Sequence, residues 1–289
     1  MKKIIITLIL GIFLISLVSA SWTESLNTGL VSYYKLDETS GTEAEDSLEL
    51  NDGTNSGATV NQVGKIGKAY SFDGSNDVVN LGHDDSLNID GDELSVSLWC
   101  KLDASQLESY PTLISKDTYT QRAWFICPTN KYLSARLYVG GVAKELNSWT
   151  GSINNGAWRH VVMVYNGTTF KIYVDNTEYD SVAATGNIDS TTSDIQIGSG
   201  YASQTNRNIK GYIDEVGIWN RSLSTDEISD LYNSGDGLAY PFTATGTNAQ
   251  INIGDDWKAI DAMQINIGDT WKAVAGAQVN IGDSWKEIY

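Results

Sequence analysis

The sequence is poor in histidine, cysteine and proline: 289 residues include 2 His, 2 Cys and 3 Pro. Two histidines are too few for a zinc site built from several His or Cys ligands. Three prolines beside 27 glycines favour strands joined by glycine turns over stiff linkers. Basic residues are also scarce, with 19 Lys and Arg against 36 Asp and Glu and a net charge of -17. Such a surface repels phosphates, so we expect no nucleic-acid partner.

Residues 1–20 have the pattern of a signal peptide. Lys2 and Lys3 form a basic start, residues 4–18 are apolar, and small residues follow that allow cleavage before Ser21. No later segment approaches the ~20 apolar residues of a membrane-spanning helix. We therefore expect a protein secreted to the extracellular surface, with no membrane span after cleavage. The alternative is an uncleaved N-terminal anchor.

Short alternating segments dominate the sequence after residue 20. In Leu94–Cys100, for example, Leu94, Val96, Leu98 and Cys100 share one face, while the opposite face carries Ser95, Ser97 and Trp99. Turn pairs such as Asn-Gly and Gly-Gly separate more than ten such segments, and helical periodicity is almost absent. This pattern predicts an all-β sandwich or barrel.

One helix is predicted near residue 224. Ser224 and Glu227 have the spacing of a capping box, in which each side chain bonds the other residue's backbone N–H. Ile228 and Leu231 then form an inward stripe, and Gly235 is expected to end the helix.

The C-terminal 41 residues contain three 14-residue repeats with the common pattern Asn-Ile-Gly-Asp-x-Trp-Lys. Each repeat predicts a hairpin with a Gly-Asp turn. One hairpin cannot bury its Trp alone, whereas three could stack or associate with other chains as a homo-oligomer. We assign residues 21–241 to the main domain, 242–248 to a linker and 249–289 to the repeats.

Several segments of the main domain resemble one family in their order and spacing: Gly29–Glu38, Gly67–Gly74, Leu94–Trp99, Trp158–Tyr165 and Ile209–Ser224. Over about residues 25 to 241 the chain is similar to the laminin-G-like jelly-roll domains of the concanavalin A-like lectin and glucanase superfamily. The resemblance implies a two-sheet antiparallel jelly-roll sandwich. It also implies a non-catalytic accessory module that binds a glycan or a cell-surface protein.

The resemblance further implies a structural calcium ion between an early loop and the last strand. The matching positions are Asp46, Asn51 and Asp214, with Asp37 and Asp73 as reserves. Calcium prefers oxygen ligands of these types. The early loop is one residue shorter than is usual in the family. The alternative is that Asp73 caps its own turn and that Asp214 is simply buried and hydrogen-bonded.

No pattern for catalysis is evident. The superfamily's glucanases carry Glu-x-Asp-x-Glu on one strand, which is absent here, and Asp214 and Glu215 are adjacent, so a regular strand would point them to opposite faces. His160 lies in a predicted strand, where a structural role is expected, and His83 lies in a turn. We expect no enzyme activity.

A sugar site would need exposed aromatic rings beside polar groups. Five aromatic residues outside the core motifs are candidates, although each could equally be ordinary core or surface: Tyr110, Tyr119, Trp124, Trp149 and Tyr201, with Asn206 and Arg207 as polar neighbours.

Cys100 and Cys127 lie on strands that we expect to be neighbours. In an oxidising destination they could form a disulfide. The alternative is two buried, small apolar side chains.

The sequence therefore favours a secreted or surface-displayed recognition module for a glycan or a surface protein. The alternative is a structural surface or fibre component assembled through the Trp repeats. A polysaccharide hydrolase ranks last.

Overall fold

Alternating apolar side chains bury one face of each of two antiparallel sheets against the other. The computed structural model describes these parts of the chain: residues 23–105, 111–118, 120–128, 133–147, 153–200 and 207–243, and the backbone of the tail strands. The signal peptide and residues 244–248 of the linker lie outside them.

The strands of residues 23–243 are numbered in chain order: β1 (Leu30–Tyr34), β2 (Glu43–Ala44), β3 (Gly53–Ser56), β4 (Thr59–Val63), β5 (Lys68–Asp73), β6 (Val78–Gly82), β7 (Glu93–Leu102), β8 (Ile114–Asp117), β9 (Arg122–Pro128), β10 (Leu133–Val139), β11 (Val142–Leu146), β12 (Arg159–Asn166), β13 (Thr169–Val174), β14 (Thr177–Ala183), β15 (Ile195–Ile197) and β16 (Lys210–Trp219). Short 3-10 helices cover Thr23–Asn27, Asp85–Leu87 and Asn233–Gly235, and the α-helix α1 covers Thr225–Tyr232.

The strands form two eight-stranded sheets. Sheet I has the order β14-β13-β12-β7-β16-β5-β4, with β1 also paired to β16. Sheet II has the order β11-β10-β9-β8-β15-β6-β3-β2. Neighbours in both sheets are often distant in sequence, and the pairings are antiparallel. The predicted two-sheet antiparallel jelly-roll sandwich is confirmed.

The layer between the sheets follows the alternation in the sequence. On β7, Leu94, Val96, Leu98 and Cys100 are fully buried in the main apolar cluster. They share this cluster with inward residues of sheet II such as Ile126. Burial of a large aliphatic side chain contributes about 1.5–3 kcal/mol, so this layer is the main source of stability.

A second apolar layer covers the outer face of sheet I. Val162, Val164 and Trp219 point away from the main core and pack with Ile228 and Leu231 of α1. The Trp219 indole N–H donates to the Leu26 carbonyl at 2.7 Å.

The second layer includes a residue of the expected linker. Phe242 is 2% exposed, and its ring meets that of Tyr33 edge-on at 5.3 Å. The packed domain therefore extends one residue beyond Pro241.

Helix α1 begins with the predicted capping box. The Glu227 N–H donates to Ser224 Oγ at 3.3 Å, and the Ser224 N–H donates to the Glu227 carboxylate at 2.9 Å. The predicted end of the helix was wrong: α1 stops at Tyr232, because Asn233 adopts the left-handed conformation (φ 46°) before Gly235 is reached. None of the helices in the described residues is long and apolar enough to cross a membrane.

The tail forms three separate two-stranded antiparallel hairpins, in a unit distinct from residues 23–243. Their strands are β17 (Gln250–Ile253), β18 (Asp256–Ala259), β19 (Met263–Ile267), β20 (Thr270–Val274), β21 (Gln278–Asn280) and β22 (Trp285–Glu287). One hairpin per repeat is what the 14-residue pattern predicts.

Glu227 also joins its own segment, residues 221–227, to the distant 3-10 helix at Thr23–Asn27. Its carboxylate accepts hydrogen bonds from Arg221 at 2.7 and 2.9 Å and from the Ser25 hydroxyl at 2.7 Å. Burial favours the neutral acid, but the bonds from Arg221 and Ser224 outweigh it and lower the pKa of Glu227 to about 2.

We expect Glu227→Gln to lower the free energy of unfolding by about 2 kcal/mol at pH 7, since charge-assisted bonds are lost. A carboxyl with a lowered folded pKa stabilises above its unfolded pKa of about 4.3 and loses that contribution as pH falls towards 2. The difference from wild type should therefore shrink between pH 4 and 2 in urea denaturation. Asp226→Asn, in the same turn but exposed, is the control. An equal loss in both variants would contradict this role.

His160 is a neutral histidine within the layer over sheet I. Its Nε2 lies 2.8 Å from Ser97 Oγ, and its ring lies against those of Trp99 and Tyr232, with centroids 5.0 and 6.1 Å away. Burial lowers the pKa of His160 to about 3. The expected structural role therefore agrees with its surroundings.

The pKa of His160 is lower in the folded protein than in the unfolded chain, so as the pH falls the unfolded chain binds the proton first. The free energy of unfolding should therefore fall by up to about 1.4 kcal/mol per pH unit below pH 6.5 because of His160. His160→Gln should reduce this slope between pH 6.5 and 4, as measured by chemical denaturation. His83→Gln, at a side chain that is 56% exposed, should retain it. Identical slopes for wild type and His160→Gln would refute the assignment.

Candidate functional site

The outer face of sheet II carries a cluster of charged, aromatic and amide side chains. Strand alternation turns the strand residues of this cluster away from the core, since they are out of phase with buried neighbours such as Ile126 and Leu137, and Arg207 lies just before β16. We call this surface the arginine face and define it by these residues: Ser115, Asp117, Arg122, Phe125, Arg136, Tyr138, Glu145, Gln196 and Arg207.

Two guanidinium groups lie near the ring of Phe125 at the centre of this face. The Arg136 guanidinium carbon is 5.3 Å from the ring centroid, and that of Arg207 is 6.0 Å away. Arg136 also forms an ion pair with Glu145 at 2.8 Å across β10 and β11. Both arginines are partly exposed above the buried Phe125. The ring and Glu145 therefore hold Arg136 in place while it remains accessible.

Arg122 and Tyr138 form a second part of the arginine face. An Arg122 Nη1–H donates to the Tyr138 hydroxyl at 2.9 Å. Arg122 Nε is 3.6 Å from Asp117 Oδ1, which is an ion-pair distance but too long for a hydrogen bond. The Asp117 side chain is only 1% exposed. A buried carboxylate thus lies beside an accessible guanidinium.

Three buried polar atoms on this face have no hydrogen-bond partner within the described residues: Asp117 Oδ1, Gln196 Oε1 and Arg136 Nε. Burial raises the pKa of Asp117 to about 6, although Arg122, Arg207 and Arg136 favour its charged form. Buried polar groups are rarely left unpaired, because each costs about 1–3 kcal/mol. Two acceptors and one donor without a partner make this face the candidate site for a polar ligand.

Gly198 positions the segment that carries Arg207. Its φ is +82°, and a Cβ at this position would overlap the Phe72 ring. Its N–H donates to the Leu113 carbonyl at 2.8 Å, and its own carbonyl accepts from the Ile209 N–H at 3.0 Å. The Arg207 carbonyl in turn accepts from Thr112 at 2.9 Å. These bonds fix the backbone of Arg207 to sheet II.

Of the five aromatic candidates for a sugar site, the described residues include Trp124. Tyr110, Tyr119, Trp149 and Tyr201 lie outside the described residues. Trp124 is 1% exposed within the core between the sheets, which is the core alternative that the sequence left open.

Sequence reasoning missed Phe125 and Arg136, although the alternation in β9 and β10 contains the signal. In both strands, residues that are out of phase with the apolar stripe are the ones that face outwards. What the sequence could not show is that β9 and β10 pair so that Arg136 lies opposite Phe125.

Two of the proposed calcium ligands, Asp46 and Asp214, accept hydrogen bonds from different segments of the backbone. Asp46 accepts backbone N–H bonds from Tyr33 at 2.9 Å and from Asn51 at 3.1 Å. Asp214 instead accepts from the backbone of Lys65 and Ile66 at 2.7 and 3.0 Å. The described residues contain no group of three or more His, Cys, Asp or Glu side chains placed to hold a metal. Calcium at Asp46, Asn51 and Asp214 stays a prediction.

The reserve positions are bonded locally. Asp73 Oδ1 accepts from the Ser75 N–H at 2.7 Å, which is the turn-capping alternative, and Asp37 Oδ1 accepts from the Lys68 N–H at 2.6 Å. Both carboxylates serve the backbone of nearby turns.

Asp214 and Glu215 do not point to opposite faces, as a regular strand would require. The register of β16 against β7 shifts between Asp214 and Gly217, and Glu215 adopts a left-handed φ of 51°. Glu215 accepts from the Tyr33 hydroxyl at 2.5 Å on the outer side of sheet I. Burial raises the pKa of both carboxyls to about 8.

The two cysteines do not lie on neighbouring strands. Cys100 is on β7 of sheet I and faces the core, whereas Cys127 is on β9 of sheet II and faces outwards. Both are free thiols. The expected pairing was therefore wrong, because it assumed adjacent strands. Burial raises the pKa of the Cys127 thiol to about 12.

Solved structures with the same fold come from several binding proteins. The binding domain of Paraclostridial mosquitocidal protein 1 has a TM-score of 0.61 at 18% identity, covering 73% of this chain and 53% of that chain. A structure of botulinum neurotoxin type C, whose cell entry depends on interaction with two ganglioside molecules, gives 0.58 at 17%, covering 73% and 52%.

A third similar structure is domain 4 of AbnA, an extracellular GH43 arabinanase from Geobacillus stearothermophilus, in complex with arabinotriose. It gives a TM-score of 0.54 at 22% identity, covering 70% of this chain and 97% of that chain. The chain spans about half the length of the two toxin structures. At these identities the likeness concerns the fold. No curated protein matches the sequence.

The sequence itself matches a laminin G family model over residues 73–229, which is more than half of the 289 residues. The match spans β6 to β16, and so it includes every strand that contributes to the arginine face. With two antiparallel jelly-roll sheets as well, the chain belongs to the concanavalin A-like lectin/glucanases superfamily.

Proposed function

We propose that this protein is a secreted, non-catalytic recognition module that binds a glycan on its arginine face. The observation that carries the proposal is the set of unpaired buried polar atoms on that face, beside accessible guanidinium groups. Sugar hydroxyls both donate and accept hydrogen bonds. They could therefore satisfy Asp117 Oδ1, Gln196 Oε1 and Arg136 Nε together.

The aromatic and charged parts of the face also suit a sugar. Ligand sites in proteins combine apolar rings with a few convergent polar groups. Tyr138 is partly exposed, and its hydroxyl is already oriented by Arg122. Such side chains are ordered before the ligand arrives, so less entropy is lost on binding.

The similar structures support a glycan as the ligand. Two of them are described with ganglioside molecules and with arabinotriose, respectively. The signal-peptide pattern of residues 1–20 supports an extracellular location, where such ligands occur.

The buried carboxylates do not favour catalysis. Asp214 and Glu215 are 0% and 3% exposed, and each is bonded to groups of the domain itself. A glycosidase needs two carboxyls on either side of the bond that it cleaves. Both lie on β16 of sheet I and not on the arginine face of sheet II.

A glycan-array screen tests the proposal, with Arg136→Gln as the variant. The wild type should bind at least one glycan, and Arg136→Gln should weaken that binding roughly tenfold, since a bond to a charged group contributes about 1.5–3 kcal/mol. Arg159→Gln is the matched control: Arg159 is on sheet I and is 29% exposed, close to the 25% of Arg136.

Thermal melting of each variant separates lost binding from lost folding. A folded wild type that binds no glycan would overturn the proposal. So would equal weakening by Arg136→Gln and Arg159→Gln, because the arginine face would then not be the site.

A further inference from the structure

We infer that the arginine face selects sugars that carry a carboxylate group. This inference rests on the proposed function and names the ligand class for the same site. The chemistry on the face favours an anion in spite of the acidic character of the whole chain.

The arginines of the chain are concentrated on this one surface. The chain has a net charge of -17 and contains only five arginines, three of which lie here: Arg122, Arg136 and Arg207. The described carboxylates of the face are Asp117 and Glu145, which leaves an excess of positive charge. Local charge of opposite sign to the rest of the chain raises the local concentration of an anionic ligand.

The guanidinium groups are held in a way that suits a carboxylate. A guanidinium is planar and can donate two parallel N–H bonds to a carboxylate. Arg136 uses Nη2 to contact Glu145, and its Nε has no partner within the described residues. The Phe125 ring lies beside Arg136 and Arg207 and limits their contact with water. Partial desolvation strengthens each bond to an anion.

Asp117 gives the site a dependence on pH. The charged groups that face it are Arg122 on β9, Arg136 on β10 and Arg207 before β16. Its pKa of about 6 means that its negative charge is lost under mildly acidic conditions. Without that charge the positive excess grows, so a carboxylated sugar should bind more tightly as pH falls through 6.

Isothermal titration calorimetry with paired sugars tests the inference. One pair is tetragalacturonic acid and its methyl ester, and the other is sialyllactose and its methyl ester. Within each pair the carboxylate is the main difference. At least one acidic member should bind about tenfold more tightly than its neutral partner. Arg136→Gln and Arg122→Gln should abolish most of that preference, whereas Arg159→Gln should leave it intact.

The outcomes separate the inference from the proposed function. If neutral sugars bind as tightly as acidic ones, or a sulfated oligosaccharide binds more tightly than both acids, carboxylate selection is overturned and glycan binding stands. If no sugar binds, both fall.

Asp117→Asn provides the pH test. For wild type, the affinity for the acidic sugar should rise several-fold from pH 7.5 to pH 5, where the sugar carboxylate remains ionised. For Asp117→Asn the affinity should be nearly constant over this range. Equal pH profiles for the two proteins would show that Asp117 does not face the bound anion, and would overturn the placement of the anion at this site.

Discussion

The apolar layer between the two sheets is the constraint on which the rest of the molecule depends. Each strand can turn only alternate residues towards that layer. Packing of that layer therefore does not determine which residues occupy the outward positions. On sheet I many of these residues are apolar, as with Val162 and Val164, and on sheet II many are charged or polar, as with Arg136 and Gln196.

The two outer faces consequently have different uses. Sheet I is covered by α1 and by the segment that ends at Phe242, which are anchored by Glu227 and by the rings around Tyr33. This layer buries groups that could otherwise be reactive, including His160, Asp214 and Glu215. Sheet II carries charged side chains on its outer face, while its inward side chains pack in the apolar core.

Much of the fold could be predicted from the sequence, since alternation and turn pairs are local signals. The capping box of Ser224 and Glu227 was predictable for the same reason. Three features were not. The helix end depends on the left-handed Asn233, the direction of Glu215 depends on a bulge in β16, and the separation of the cysteines depends on sheet topology. The first is a local backbone choice that the more obvious Gly235 concealed, and the other two are decided by pairing between strands distant in sequence.

The candidate site was harder to predict than the fold, because it depends on register. Neither strand sequence alone shows that Arg136 lies opposite Phe125 across β9 and β10.

The separation of the arginine face from the apolar core has an evolutionary consequence. Residues of the arginine face project away from the core, so most of them can be exchanged without altering the apolar layer. A lineage of such domains could therefore acquire new ligands by changing a few outward positions on β8 to β11, while the sandwich itself is inherited unchanged.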